Sequence, residues 1–368
     1  MKFAQLAEGG DGADDAAFNN GSEIMEMGYK FSFGPWNIHE GADPFGPTVR
    51  PTVAFAEKLK SYKTLGFDGV QFHDDDVVPE IDTKNASQLE NEAKQMKKML
   101  DGEGLAAEFT APRLWEDPRG VEGGFTANDP EVRKWAIDRT KRCMDVGRAV
   151  GTKFMVLWLA REGTYIRESK NAIDAHKWLL DAINQLLDHD KDFKIAIEPK
   201  PNEPMDHAYI PTIGHALSIG QASKDPSRMG GLIETAHAIL AGLDPSDEMA
   251  FALAQGKLWS VHLNDQNGLK YDQDKSFGAA NLRVAYNQVR VLELGGYPKT
   301  GYFVGLDVKA MRTQKADVAT KHLSNSKRFF LRLVEKVRTF DKNLEAQFIK
   351  NRDYEGLEAA VMEHLMGK

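Results

Sequence analysis

Short apolar runs alternate with longer amphipathic segments along most of the chain. The apolar runs have the length of strands, and several are apolar without interruption, as in strands covered on both faces of a sheet. The amphipathic segments have helical spacing, and many end in glycine, the residue favoured just beyond a helix. We predict eight strands, at residues 30–36, 66–72, 104–111, 153–159, 193–199, 229–235, 257–264 and 302–309.

Eight alternations of strand and helix are typical of a closed parallel barrel or of a long doubly wound sheet. We favour the barrel, an α/β fold of the (β/α)8 or TIM type, for which 368 residues is an ordinary length. Residues 1–25 are rich in Gly, Asp, Ala and Asn and are predicted to be an extension. The barrel domain is predicted at residues 26–342, followed by a short C-terminal helical arm at residues 343–368.

Charge and composition exclude several classes of function. The chain has 47 Lys and Arg against 55 Asp and Glu, a net charge of −8 that does not favour nucleic acid. No segment has the roughly 20 apolar residues needed to cross a bilayer, and the N-terminus lacks the apolar run of a signal peptide. The single cysteine, Cys143, excludes an intrachain disulfide. We therefore expect a cytoplasmic protein.

Ionisable residues collect just after five of the predicted strands, the end at which barrel enzymes place their active sites. One such residue alone is more often a helix cap, a solvated charge or a core histidine, but repetition at five strand ends indicates a site. The residues are His73 and Asp76 after the second strand, Glu198 and Lys200 after the fifth, Glu234 and His237 after the sixth, His262, Asp272 and Asp274 at the seventh, and Asp307 and Lys309 at the eighth.

This combination of side chains predicts a metal site. Carboxylates and imidazoles without a thiolate cluster suit Mg, Mn or Co and argue against structural zinc. Glu234 belongs to both of two ligand groups and could bridge two divalent metal ions. Lys200 and Lys309 would neutralise this site and polarise a substrate oxygen. The first group is Glu198, Glu234, His262 and Asp307, and the second is Glu234, His237, Asp272 and Asp274.

From about Lys30 onwards the sequence resembles xylose isomerase. The similar segments include KFSFGPW, DPFG, GFDGVQFHDDD, GGFTANDPEVRKWA, IAIEPKPNEP, PTIGHAL, LNDQNGLKYDQD, FGAANLR and GLEAAVMEHLMG. The resemblance implies a metal-dependent aldose–ketose isomerase that opens a cyclic sugar and shifts a hydride from C2 to C1. It implies that His73, oriented by Asp76, assists ring opening and that Lys200 stabilises the charge growing on O1.

The same resemblance assigns roles to three aromatic residues. Trp36 and Trp158 would be walls that keep water from the shifting hydride, although either could simply pack the barrel. Phe45, in DPFG, would complete the pocket of a neighbouring subunit. The implied enzyme is therefore a homo-oligomer, either a homodimer or a homotetramer.

The sequence departs from the family at two places. His262 stands where xylose isomerases have an aspartate ligand, and the loop after the third strand brings Arg113 and Trp115 to the sugar's far end. These two residues are candidates for binding the substrate, so D-xylose itself is left open. We favour an Arg113 that points outward and pairs with Glu116 or Asp117.

Two other functions remain as alternatives. A ketose 3-epimerase, or another enzyme of the same barrel that abstracts a proton, would use one metal and two flanking glutamates. A non-catalytic sugar-binding barrel would have lost the machinery for hydride shift. The retained second group of ligands argues against both.

Overall fold

The computed structural model describes residues 27–368, and the predicted extension at residues 1–25 lies outside this range. Eight parallel strands close a barrel in which each strand pairs with the next in the chain and the last pairs with the first. All eight predicted strands are confirmed. They are β1 Lys30–Phe33, β2 Gly69–His73, β3 Ala106–Ala111, β4 Phe154–Trp158, β5 Lys194–Glu198, β6 Met229–Glu234, β7 Leu258–Leu263 and β8 Phe303–Leu306.

Helices surround the barrel and connect its strands. Two short antiparallel strands, Gly163–Thr164 and His207–Ala208, pair in the loops after β4 and β5. The helices are α1 Phe55–Thr64, α2 Asp74–Val77, α3 Ala86–Glu103, α4 Pro130–Val150, α5 Ala172–His189, α6 Ile213–Ala222, α7 Thr235–Leu240, α8 Pro245–Ala254, α9 Leu282–Leu294, α10 Lys321–Thr339, α11 Lys342–Asn351 and α12 Tyr354–Leu365.

The sequence sets the helix ends by local chemistry, and α4 is an example. The Asp129 side chain accepts a hydrogen bond from the backbone N–H of Glu131, and Pro130 occupies the first turn, where its missing N–H costs nothing. The helix ends at Gly151, whose φ of 107° favours glycine. Cys143 is buried within α4.

Alternation along the strands sorts side chains between two environments. On β5, Ile195 and Ile197 pack outward among the residues that contact the helices, whereas Ala196 and Glu198 share the inner face. The interior of the barrel is filled largely by Phe109, Val156, Leu232 and Trp259, together with small side chains. An ionisable residue at the end of an inner row therefore points into the mouth of the barrel.

Strand register places the predicted ligands side by side. His262 on β7 pairs with Glu234 on β6 and with Gly305 on β8, and Glu198 on β5 pairs with Trp158 on β4. The two C-terminal helices α11 and α12 are present, while the proposed division into domains remains a prediction. In the described part of the chain, every helix is too short or too polar to span a membrane.

Candidate active site

A cavity of about 480 Å³ opens where the carboxyl ends of the barrel strands meet. Two predicted residues, Asp76 and Lys200, contact residues that line the cavity but do not line it themselves, and Phe45 is 77% exposed and also not part of the lining. The cavity brings together most of the residues predicted for the site, namely Trp36, His73, Arg113, Trp115, Trp158, Glu198, Glu234, His237, His262, Asp272, Asp274, Asp307 and Lys309.

Glu234 lies at the centre of the ionisable side chains. It belongs to three groups whose oxygen and nitrogen donor atoms all lie within 4.8 Å of one another. The groups are Glu198, Glu234 and His237, then Glu234, His262 and Asp307, and finally Glu234, Asp272 and Asp274. Glu234 is common to all three groups, while Glu198, predicted for the first ligand set, lies in one group with His237, predicted for the second.

The chemistry of these donors fits a divalent cation. Among the described residues, the buried atoms His237 Nδ1 and Asp272 Oδ1 have no hydrogen-bond partner, although buried polar atoms are normally satisfied. Burial and the charge of Asp272 raise the pKa values of both Glu234 and Asp274 well above their ordinary range. A bound cation would relieve this crowding of carboxylates and supply the missing partners.

Two lysines neutralise one side of the site. Lys200 Nζ lies 2.7 Å from Asp272 Oδ2, and Lys309 Nζ lies 2.6 Å from Asp274 Oδ2. Burial opposes the charged form of Lys200, but the carboxylate of Asp272 outweighs it and raises the lysine pKa above its ordinary value. Both side chains are therefore ammonium ions at neutral pH.

Sequence reasoning missed Asn264, which contacts two of the candidate ligands. Its amide nitrogen donates to Glu234 Oε1 at 2.8 Å and to Asp274 Oδ1 at 3.2 Å. Its amide oxygen accepts from the backbone N–H of Ala236 at 2.8 Å. Its position at the end of the seventh predicted strand, two residues after His262, was the available signal.

Aromatic rings form the opposite wall. The ring of Trp36 lies 4.3 Å from that of His73, and Trp115 lies 4.6 Å from Trp158 in an edge-on arrangement. Trp36 also donates from Nε1 to Asp307 Oδ1 at 2.9 Å, so the wall is tied to the ligand groups. Both predicted tryptophan walls line the cavity, and they are not confined to packing the barrel.

The predicted outward orientation of Arg113 requires correction. Its expected pair with Glu116 is present at 3.4 Å, but Asp117 pairs with Arg119 instead. The Arg113 guanidinium turns inward because three acceptors lie there. It lies 2.6 Å from His73 Nδ1, 3.0 Å from Asp76 Oδ1 and 3.0 Å from Asp75 Oδ1.

This contact determines which nitrogen of His73 carries the proton. An arginine can only donate, so His73 Nδ1 accepts from Arg113 and Nε2 bears the hydrogen. Asp76, expected to orient the ring, accepts from the backbone N–H of His73 at 2.9 Å and lies 3.3 Å from Nδ1. The ring is therefore held by Arg113 more directly than by Asp76.

Comparisons with known proteins agree with this architecture. Residues 59–318 match the family described as the xylose isomerase-like TIM barrel. The chain is 33% identical over 325 residues to a xylose isomerase of Thermus thermophilus, covering 87% of this chain and 82% of that enzyme.

Solved structures share the fold at lower identity. An L-ribulose 3-epimerase superposes with a TM-score of 0.60 at 12% identity, over 87% of this chain and 98% of that one. The IOLI protein with a bound zinc atom superposes with a TM-score of 0.57 at 15% identity, over 84% of this chain and 99% of that one. From the family match and the 33% identity, the chain belongs to the xylose isomerase-like TIM-barrel family.

Proposed function

We propose that this member of a family of sugar enzymes is an aldose–ketose isomerase that acts on a free sugar and depends on two divalent metal ions. The observation that carries the proposal is the position of Glu234 in three donor groups at once. A carboxylate shared in this way can hold two cations a few ångströms apart, the arrangement of paired-metal catalysis.

The two cations would be Mn, Co or Mg. On the predicted division, Glu198, Glu234, His262 and Asp307 would hold one, and Glu234, His237, Asp272 and Asp274 the other. The donor atoms of Glu198 also lie close to those of His237, between the two sets. When bound, such ions polarise sugar oxygens and lower the pKa of water. The imidazole nitrogens and hard carboxylate oxygens of this set suit these metals.

The remaining residues would handle the sugar itself. His73, with its proton on Nε2, would donate a hydrogen bond to a ring oxygen and assist ring opening. Hydride would then pass from C2 to C1 while the Lys200 ammonium stabilises negative charge on O1. Trp36 and Trp158 would exclude water from the reacting carbons.

The specific sugar depends on the loop after β3. Arg113 and Trp115 line the cavity, so the substrate would be D-xylose or a related aldose whose far end fits beside them. Phe45, which is exposed and contacts Tyr271 at 5.4 Å between ring centres, is available to a neighbouring subunit of a homodimer or homotetramer.

A ketose 3-epimerase is the second candidate. It is favoured by the imidazole of His262 in the first metal group, where xylose isomerases have aspartate, and by the likeness in fold to an L-ribulose 3-epimerase. It is disfavoured by the complete second group, because a single-metal epimerase has no use for Asp272 and Asp274. The same ligand groups argue against a non-catalytic sugar-binding barrel.

Isotope transfer separates the two enzymes. An aldose carrying deuterium at C2 is incubated with the Mn-loaded protein, and the ketose is examined by NMR. We expect deuterium at C1 of the ketose, since a hydride shift carries it within the molecule. Exchange of the label into water would overturn the proposal and support proton abstraction. A panel of pentoses, hexoses and deoxysugars identifies the aldose to use.

A further inference from the structure

A chain of polar side chains runs through the barrel interior beneath His262. It consists of Gln71 on β2, Glu108 on β3, Ser32 on β1 and Ser260 on β7, none of them more than 6% exposed. The interior of a barrel is usually filled by branched apolar side chains, and a buried carboxylate is costly unless it is hydrogen-bonded. A polar chain at this depth therefore requires a function.

The hydrogen bonds of this chain lead from Glu108 to His262. Gln71 Nε2 lies 3.2 Å from Glu108 Oε2 and 3.2 Å from Ser32 Oγ, and Gln71 Oε1 lies 3.1 Å from His262 Nε2. Ser32 also donates to Glu108 Oε2, and Ser260 donates to Glu108 Oε1 at 2.6 Å. Each polar end of Gln71 thus has a partner.

The hydrogen bonds of this chain are consistent with one orientation of the Gln71 amide. Burial raises the pKa of Glu108, while hydrogen bonds from Ser260 and Ser32 oppose the rise, and three donors converge on its two oxygens as on a carboxylate. A carboxylate only accepts, so the amide nitrogen of Gln71 faces Glu108 and its oxygen faces His262. His262 Nε2 must then carry the hydrogen.

The other ring nitrogen of His262 is consequently the one directed at the metal groups. Nδ1 lies 3.3 Å from Glu198 Oε1, 3.8 Å from Glu234 Oε2 and 4.0 Å from Asp307 Oδ2. A histidine that ligates a metal normally donates its second N–H to a fixed acceptor, which sets the tautomer and the ring orientation.

A glycine on the neighbouring strand keeps space for this arrangement. A Cβ atom at Gly305 would lie 2.3 Å from Gln71 Nε2 and 2.5 Å from the backbone oxygen of Val261. It would also lie 3.3 Å from His262 Cδ2. Any side chain on β8 at this position would displace Gln71, so the glycine is an independent sign that the contact is built in.

We infer that Gln71, held by Glu108, is a positioning residue that makes His262 bind the first cation through Nδ1. The inference rests on the proposed metal-dependent function. It also explains how histidine replaces the expected aspartate, since an imidazole ligand needs an acceptor beneath it and a carboxylate ligand does not.

The test replaces Gln71 by methionine, which has similar length but cannot accept the hydrogen bond well. Mn²⁺ titration by calorimetry should show the first site weakened by about 10- to 100-fold, the range typical of residues that orient a metal-bound histidine. ¹⁵N NMR of the Mg²⁺-loaded protein should show that the Nε2–H form of His262 is no longer uniquely populated. Thr110→Val, which removes a buried hydroxyl of β3 outside the polar chain, is the matched control.

A double-mutant cycle with His262→Asp separates positioning from packing. In the aspartate background Gln71→Met should weaken Mn²⁺ binding no further, because no ring N–H remains to be oriented. Equal weakening in both backgrounds, or unchanged affinity and tautomer in Gln71→Met alone, would overturn the inference. These readouts do not depend on the sugar. If the label exchanges into water but the double-mutant cycle shows coupling between Gln71 and His262, the proposed hydride shift is wrong and the positioning role of Gln71 stands.

Discussion

The two sides of the cavity are built on different principles. On the β5–β8 side, Glu198, Glu234 and His262 stand at or near strand ends and are each less than 5% exposed, while Asp272 and Asp274 lie in the loop after β7. On the β1–β3 side, the cavity wall carries aromatic rings and the guanidinium of Arg113, and Trp36, Arg113 and Trp115 come from segments beyond the strand ends. The first side depends on the barrel for its geometry, whereas the second depends on contacts among its own side chains.

This difference suggests separate roles for the two sides, one in binding metal and the other in selecting the sugar. The β5–β8 side holds acidic groups that are crowded without a cation, so in the proposed function it would determine the metals and with them the type of reaction. The loop residues of the β1–β3 side would face the far end of the sugar and would select the substrate. We therefore expect substitutions on the two sides to affect different measurements.

The largest effect is expected for Glu234→Gln. An amide cannot serve as a bridging carboxylate, so both cations should bind poorly and kcat should fall by more than about 100-fold, beyond the range of residues that only orient a ligand. Glu116→Gln is the matched control, since this carboxylate lines the same cavity on the loop side. If both variants lower metal affinity equally, the separation of the two sides is wrong.

A smaller effect is expected for Arg113→Thr. The substitution frees His73 Nδ1 and removes the guanidinium partner of Asp76, while Asp75 keeps a longer contact of 3.5 Å to Arg139. Loss of hydrogen bonds to a charged group predicts a decrease in kcat/KM of about 10- to 100-fold, from about 1.5–3 kcal/mol. Mn²⁺ affinity should not change. The measurement is a set of kinetic constants across the sugar panel.

The smallest effect is expected for Trp115→Phe, which also tests whether the loop after β3 selects the sugar. The ring remains, so the edge-on contact with Trp158 is reduced but not lost. We expect the order of preferred sugars to change while metal binding and melting temperature stay the same. An unchanged substrate order in both loop variants would show that this loop does not select the sugar.

The strands and most of the candidate ligands could be predicted because both depend on local pattern. Continuous apolar runs indicate strands covered on both faces, and a polar residue at the end of such a run lies at the mouth of a barrel. Glu198, Glu234 and Asp307 follow this rule and converge as expected. Their predicted catalytic roles remain proposals.

The contacts that could not be predicted join distant segments. Gln71 and His262 are 191 positions apart, and the local pattern of neither strand indicates that the two side chains meet. The orientation of Arg113 was mispredicted for a related reason. Several acids lie close to it in sequence, and only the folded barrel shows that His73 and Asp76 are nearer than Asp117.

The central claim is that Glu234 joins two cation sites, and a Mn²⁺ titration followed by electron paramagnetic resonance tests it most directly. Metal-free protein is titrated while bound Mn²⁺ and isomerase activity are measured together. We predict two Mn²⁺ per chain, magnetic coupling between them, and activity only when both are bound. One Mn²⁺ per chain at saturation, with an uncoupled spectrum and full activity, would contradict the account.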